Sequence, residues 1–170
     1  VFLANVRVPE ERQGDLLAQW ASNRLGAERM AELAGRYGAE FLLERAADQL
    51  AWTAQLCRAR LAELPVGRVQ VADELDLPGG ERAELRLELS RGPHGLCADF
   101  RGSSGALPRP LNTPRAVVES AVFYTLRLLL PAGTPTNSGV LDPVEIRTDP
   151  GSLLEARYPA AVAAGNTETS

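Results

Sequence analysis

The sequence contains no lysine, and all eighteen of its basic side chains are arginines. That absence removes whole chemistries, because a P-loop needs a lysine on the phosphates and a pyridoxal enzyme needs one for its Schiff base. Histidine is nearly absent as well, with His94 the single example, placed in the turn-like stretch Gly92-Pro93-His94-Gly95 between two strand-like runs. A Ser-His-Asp or Cys-His arrangement would have to use that one imidazole, and a hairpin tip is a poor place to bury it. The two cysteines, Cys57 and Cys97, stand among apolar neighbours with no CxxC spacing and no second histidine. Zinc-type ligation is therefore excluded by spacing, no metal site is assigned to this chain, and two buried free thiols are expected.

No run approaches the roughly eighteen apolar residues of a membrane span, and no basic-then-apolar signal sequence opens the chain. The net charge of −4 is spread without long blocks of one sign, which leaves no electrostatic footprint for nucleic acid or an anionic membrane. A cytoplasmic origin is the default expectation. What is present is 170 residues, 45% of them apolar, enough for one domain or two small ones with a real core. The opening Val1-Phe2-Leu3-Ala4-Asn5-Val6 reads as the tail of an upstream element. The closing Gly165-Asn166-Thr167-Glu168-Thr169-Ser170 reads as a helix entry capped by Asn166. An internal fragment of a larger subunit is the expectation.

The periodicities predict an α+β fold in three parts: a helical segment 1–65, an antiparallel meander 66–105 and a mixed helix and strand segment 106–170. Pro9 followed by Glu10 and Glu11 is a helix start. Gly26 and Gly38 are expected to divide the segment into three helices. The second carries Met30, Leu33, Ala34 and Tyr37 on one face. The third carries Leu43, Ala47, Leu50, Ala54, Cys57, Leu61 and Leu64 at alternating steps of four and three until Pro65. That last seam suits either an oligomerisation arm or a helix packed on its own domain. From Arg68 the period changes to two: Val69, Val71, Leu75 and Leu77 precede Pro78-Gly79-Gly80. Ala83, Leu85, Leu87 and Leu89 then alternate with Glu84, Arg86, Glu88 and Ser90, and Leu96, Ala98 and Phe100 follow. Thr113-Pro114 supplies a cap and first-turn proline for a helix bearing Val118, Ala121, Val122, Thr125, Leu128 and Leu129, closed by Pro131. A short strand around Val144 and Ile146 and a type II turn at Asp149-Pro150-Gly151-Ser152 complete the pattern.

Four polar loop stretches are the places where chemistry could sit: Asp99 to Gly105, Asn112, Asn137-Ser138-Gly139 and Gly165 to Glu168. Asp99, Ser103, Asn112, Asn137 and Asn166 are the candidate substrate-orienting groups. Glu168 is the candidate acid/base residue, with Asp99 its potential partner.

In this order and spacing the chain resembles the hydantoinase B/oxoprolinase family, the B-type portion of N-methylhydantoinases and 5-oxoprolinases, with relatives among acetone and acetophenone carboxylases. The signals are Asn5-Val6-Arg7-Val8-Pro9-Glu10-Glu11-Arg12, Gly14-Asp15-Leu16, Arg36-Tyr37-Gly38, the Asp99 to Ser104 run, Asn112, Tyr124, Asn137 with Gly139, Pro150-Gly151-Ser152, and Pro159-Ala160-Ala161-Val162 through Asn166. The resemblance covers essentially the whole chain. It implies ATP-dependent opening of a cyclic amide, or ATP-driven ketone carboxylation in the carboxylase branch. It also implies nucleotide binding on an A-type partner subunit and a divalent metal in an upstream part rich in His and Asp. An isolated 170-residue chain is expected to be inactive, and in the full assembly Asn137→Ala is expected to lower kcat/KM without lowering folded yield. A non-catalytic assembly module is the competing reading. Arg101 stands where relatives usually carry a small hydroxyl residue, and Ser138 where many carry an acidic or amide one.

Overall fold

A proline at the first turn and a glycine at position 38 set the limits of the first long helix in the computed structural model of the chain, which describes residues 2–6, 8–93 and 95–168. Helix α1, Pro9–Tyr37, opens with Glu10 and Glu11 at its positive end and closes with Arg36 at its negative end. Gly38, at φ 87°, ends it and donates its N–H to the Ala34 carbonyl. The break expected at Gly26 does not occur. A mid-helix glycine costs about 1 kcal/mol relative to alanine, and α1 runs straight through both Gly14 and Gly26.

Helix α2, Ala39–Ala62, follows at once. The chain forms two compact units, Val1–Asp48 and Gln49–Ser170, so the division falls inside α2 and inside the helical segment 1–65. Of the seam expected along this helix, Ala54, Cys57 and Leu61 are buried, whereas Leu43 is 73% exposed. The second half of α2 therefore packs within its own unit.

In that second unit the period-two runs become β1 (Gly67–Asp76), β2 (Arg82–Gly92) and β3 (Gly95–Asp99), joined as an antiparallel meander. The short strand β4, Val144–Arg147, adds to β3 in parallel, so the sheet is mixed, with order β1-β2-β3-β4. Registry aligns Val69, Leu89, Ala98 and Ile146 in one row across all four strands. Side chains alternate faces along a strand, so this row belongs to the apolar side.

Helix α3, Arg115–Leu129, and the second half of α2 cover part of that side. Their Cys57, Leu61 and Leu126 form a buried cluster with Leu130 and Val140, against which Leu96 of β3 and Val144 of β4 pack. A second cluster, Leu77, Ala83 and Leu153, closes the other end of the β1–β2 hairpin with Leu107 and Leu111 packed on it. The Thr113 cap expected for α3 is not made. Pro114 occupies the cap position without a side-chain bond, because the Thr113 backbone is already committed to Leu153 and Ala156. The buried face of α3 holds Val118 and Leu126, while Thr125, Leu128 and Leu129 are exposed. The turn at Asp149 forms as expected, with Gly151 at φ 85° and Ser152 N–H on the Asp149 carbonyl. Arg115 ties α3 to the end of β4 through the Ile146 carbonyl at 2.9 Å and the Thr148 hydroxyl at 3.1 Å. The last element, α4, is the single turn Gly165–Glu168, so Asn166 lies inside it rather than capping it.

Candidate functional site

The register that aligns the apolar row also builds its polar counterpart. Gln70, Glu88, Asp99 and Arg147 stand opposite one another on four successive strands, and Arg68, Ser90, Cys97 and Glu145 form the adjoining row. An open cleft of about 900 Å³ lies over this face, and the turn after β3 adds Arg101 and Gly102 to its lining. Four arginines, Arg68, Arg86, Arg101 and Arg147, line it together with four carboxylates, Glu84, Glu88, Asp99 and Asp149. The charges balance, so the cleft does not select a polyanion.

Asp99 is the centre of the arrangement. Its side chain is 14% exposed. The Arg101 guanidinium grips it in a fork, Nε to Oδ1 at 2.9 Å and Nη2 to Oδ2 at 2.5 Å, and the Arg101 backbone N–H adds a bond at 3.0 Å. Arg147 approaches from the neighbouring strand at 3.8 Å. The Arg101 hydrogen bonds outweigh the opposing effect of burial and pull the Asp99 carboxyl down to about 2. Asp99 is thus an ionised acceptor at neutral pH, suited to orienting a donor and unsuited to supplying a proton. Arg147 itself is paired bidentately with Glu145 at 2.7 and 2.8 Å, which holds the Glu145 carboxyl low. A single bond from Arg86 at 2.8 Å likewise holds the Glu84 carboxyl low. Partial burial pushes the Cys97 thiol up, away from the thiolate a nucleophile requires. Both cysteines are free; Cys57 is buried, as expected, and Cys97 only half-buried.

The other described candidates, Ser103, Asn112 and Asn137, are bonded to the chain itself. The Ser103 hydroxyl donates to the Phe100 carbonyl at 2.7 Å and accepts from Arg86 N–H at 3.0 Å. With Ser104, whose Oγ accepts from Glu84 N–H at 2.8 Å, it laces the turn after β3 onto β2. Asn112 is 0% exposed and entirely occupied with backbone. Its Oδ1 accepts from Leu107 N–H at 2.6 Å, and its Nδ2 donates to the carbonyls of Leu107, Arg109 and Ala161 at 2.9 to 3.0 Å. Asn137 caps a 3-10 turn, Ser138–Val140, by accepting from Gly139 N–H, and donates to the Thr53 hydroxyl of α2 at 3.0 Å. These three residues act in this structure as braces for loops. The side chains of Asn166 and Glu168, and the whole of His94, lie outside the described residues. Of the described candidates, Asp99 lines the cleft, with Ser103 in the turn beside it, whereas neither the buried Asn112 nor Asn137 lines it.

Arg147, Glu88, Gln70 and Asp149 were not singled out in the sequence. Asp149 Oδ2 accepts from Gly102 N–H at 2.8 Å, locking the turn after β3 to the turn after β4. Strand registry brings Gln70, Glu88 and Arg147 to Asp99, and the alternation in β2 was the one signal of a wet face.

The comparisons agree with this architecture. The chain belongs to the hydantoinase B/oxoprolinase family, whose model matches residues 1–170. It is 31% identical to 5-oxoprolinase 1 of Arabidopsis thaliana over 95% of this chain and 14% of that protein. It is 30% identical to a Pseudomonas protein named for the B-type part of a D-/L-hydantoinase, over 92% of this chain and 28% of that one. Among solved structures it is similar in fold to the ATP-dependent caprolactamase of Pseudomonas jessenii, with a TM-score of 0.79 at 23% identity, covering 94% of this chain and 28% of that chain. The chain thus spans less than a third of the length of these relatives. Among the described residues no helix is long and apolar enough to cross a membrane.

Proposed function

We propose that these residues serve within a larger B-type subunit of an ATP-dependent cyclic-amide hydrolase that opens a hydantoin or lactam ring. The observation that carries this reading is the family match over residues 1–170, with relatives named for 5-oxoprolinase and hydantoinase activity. Amide resonance makes the ring carbonyl a poor electrophile, and a phosphoryl group from ATP placed on its oxygen relieves that. The nucleotide belongs on an A-type partner subunit, which suits a chain with no phosphate-binding lysine. A divalent metal belongs elsewhere in the parent protein. Among the described residues there is no group of three or more His, Cys, Asp or Glu side chains that could hold one. The contribution of this chain is a rigid, charge-balanced sheet face with Asp99 as a fixed acceptor toward an amide N–H or an ammonium product.

The test is to co-express the complete B-type subunit with its A-type partner and supply ATP with 5-oxoproline, hydantoin or caprolactam, following ring-opened product and phosphate together. Coupled release of both is the expected result. Turnover with a ketone and bicarbonate, and with none of the cyclic amides, would place the protein in the carboxylase branch instead.

A further inference from the structure

No residue of α1 is buried, although the helix extends for 29 residues, a rod of about 43 Å at 1.5 Å per residue. Most of its apolar side chains share one face, Leu25 on the opposite side being the exception. Leu16, Trp20, Ala27, Met30, Ala34 and Tyr37 recur at alternating steps of four and three, with Asn23 the one polar member of the series. Those are the a and d positions of a seven-residue repeat, which winds around the helix as a single seam. Trp20 on that seam is 61% exposed and Met30 58%. Leu17 and Leu33, at the flanking positions, widen it. A seam of this period fits one kind of surface, another helix crossing at about 20° with its own apolar a and d positions. A contiguous apolar stripe of this length in water marks a site of packing.

The lengths of the relatives indicate where the second helix comes from. The matched segment is 28% of the caprolactamase chain and 30% of an archaeal relative from Methanocaldococcus jannaschii, so more than two thirds of such a polypeptide lies outside it. A helix on the same polypeptide meets the seam at a high effective concentration and loses no translational freedom on docking, advantages that a separate chain lacks. We propose that α1 is one half of a helix pair enclosed in the larger B-type subunit, and that its mate is an amphipathic helix of the same polypeptide outside residues 1–170. Asn23 sets the register of the pair by requiring a polar partner opposite it. The proposal rests on family membership and is independent of the reaction catalysed.

The experiment places the photo-crosslinking residue p-benzoylphenylalanine at position 20, and in a second variant at position 30, of the complete subunit, purified without the A-type partner and again with it. After irradiation the joined peptides are identified by mass spectrometry. The expected result is an intramolecular adduct, with no shift in the mass of the subunit, onto a segment outside residues 1–170 in both preparations. A band of doubled mass, an adduct on the A-type partner, or an adduct confined to residues 49–170 would each overturn the proposal. So would a folded subunit that forms no adduct from either position, because the seam would then face solvent. Position 22 is the control, since Ser22 stands on the side of α1 away from the seam.

Discussion

Asn112 offers the sharpest test of whether a candidate site residue in this chain acts on substrate or on the fold. Its side chain satisfies four backbone groups, the N–H and carbonyl of Leu107 and the carbonyls of Arg109 and Ala161, and is itself wholly buried. Asn112→Ala removes every one of these bonds at once. A buried polar group left unsatisfied costs about 1–3 kcal/mol. Ala161 is exposed and Leu107 and Arg109 only half-buried, so water recovers part of the loss. The sum is about 3–4 kcal/mol. With a urea dependence of about 2 kcal/mol per molar for a chain of this size, the unfolding midpoint should fall by about 1.5–2 M. Asn112→Asp adds a pH signature. A carboxylate facing three carbonyl oxygens is raised above its ordinary pKa, so the native state binds more protons than the unfolded chain. The stability of that variant should then decline as pH rises from about 4 to about 7. A midpoint for Asn112→Ala within about 0.5 M of the parent, combined with a fall in kcat/KM of the assembled enzyme, would refute the structural role and return Asn112 to the substrate.

Asn137→Ala should lower stability by about 1–2 kcal/mol through loss of its bonds to Gly139 and Thr53, read as a lower urea midpoint. Gly139→Ala should be worse, about 2–3 kcal/mol, because a Cβ there runs into the Leu50 carbonyl and comes within 3.1 Å of Thr53 Cβ. Leu61→Ala, in the core between α2 and α3, should cost about 3 kcal/mol, whereas Leu43→Ala should cost under about 0.5 in the 170-residue chain. The Asp99 carboxyl should titrate at about 2 by carbon-13 NMR, and Arg101→Ala should return it toward the ordinary value of 3.8. Because that pKa is depressed in the folded state, its stabilising contribution is complete above about pH 4 and is lost as pH falls toward 2. An Asp99 midpoint unmoved by Arg101→Ala would remove the fork as its cause.

Elements whose signals are local came through from sequence to structure. Pro9, the glycine at 38, the Pro78-Gly79-Gly80 turn, the alternation along β2 and the turn at Asp149 each act within a few residues, and each appears where the pattern placed it. Signals that compete with a longer-range preference did not. Gly26 reads as a break, but a helix already propagating absorbs one glycine. Thr113 reads as a cap, but its backbone is claimed by a distant loop. The face drawn for α3 was turned because the helix rotates to fit a core whose other walls, Leu96 and Val144, come from far along the chain.

The sequence alone determined most strand and turn positions and, through its ordered motifs, the family. These follow from residue types and short spacings, which are fixed before any folding. Tertiary structure alone decided which polar residues meet. Gln70, Glu88, Asp99 and Arg147 are separated by long stretches of chain and share a row only because four strands pair in one register. Likewise, Asn112 and Asn137 look like free ligand-binding side chains in the sequence, and the backbone groups that fold around them make them braces. A side chain's donors and acceptors can be read from its type, but whether they remain available depends on which backbone groups the fold buries beside them.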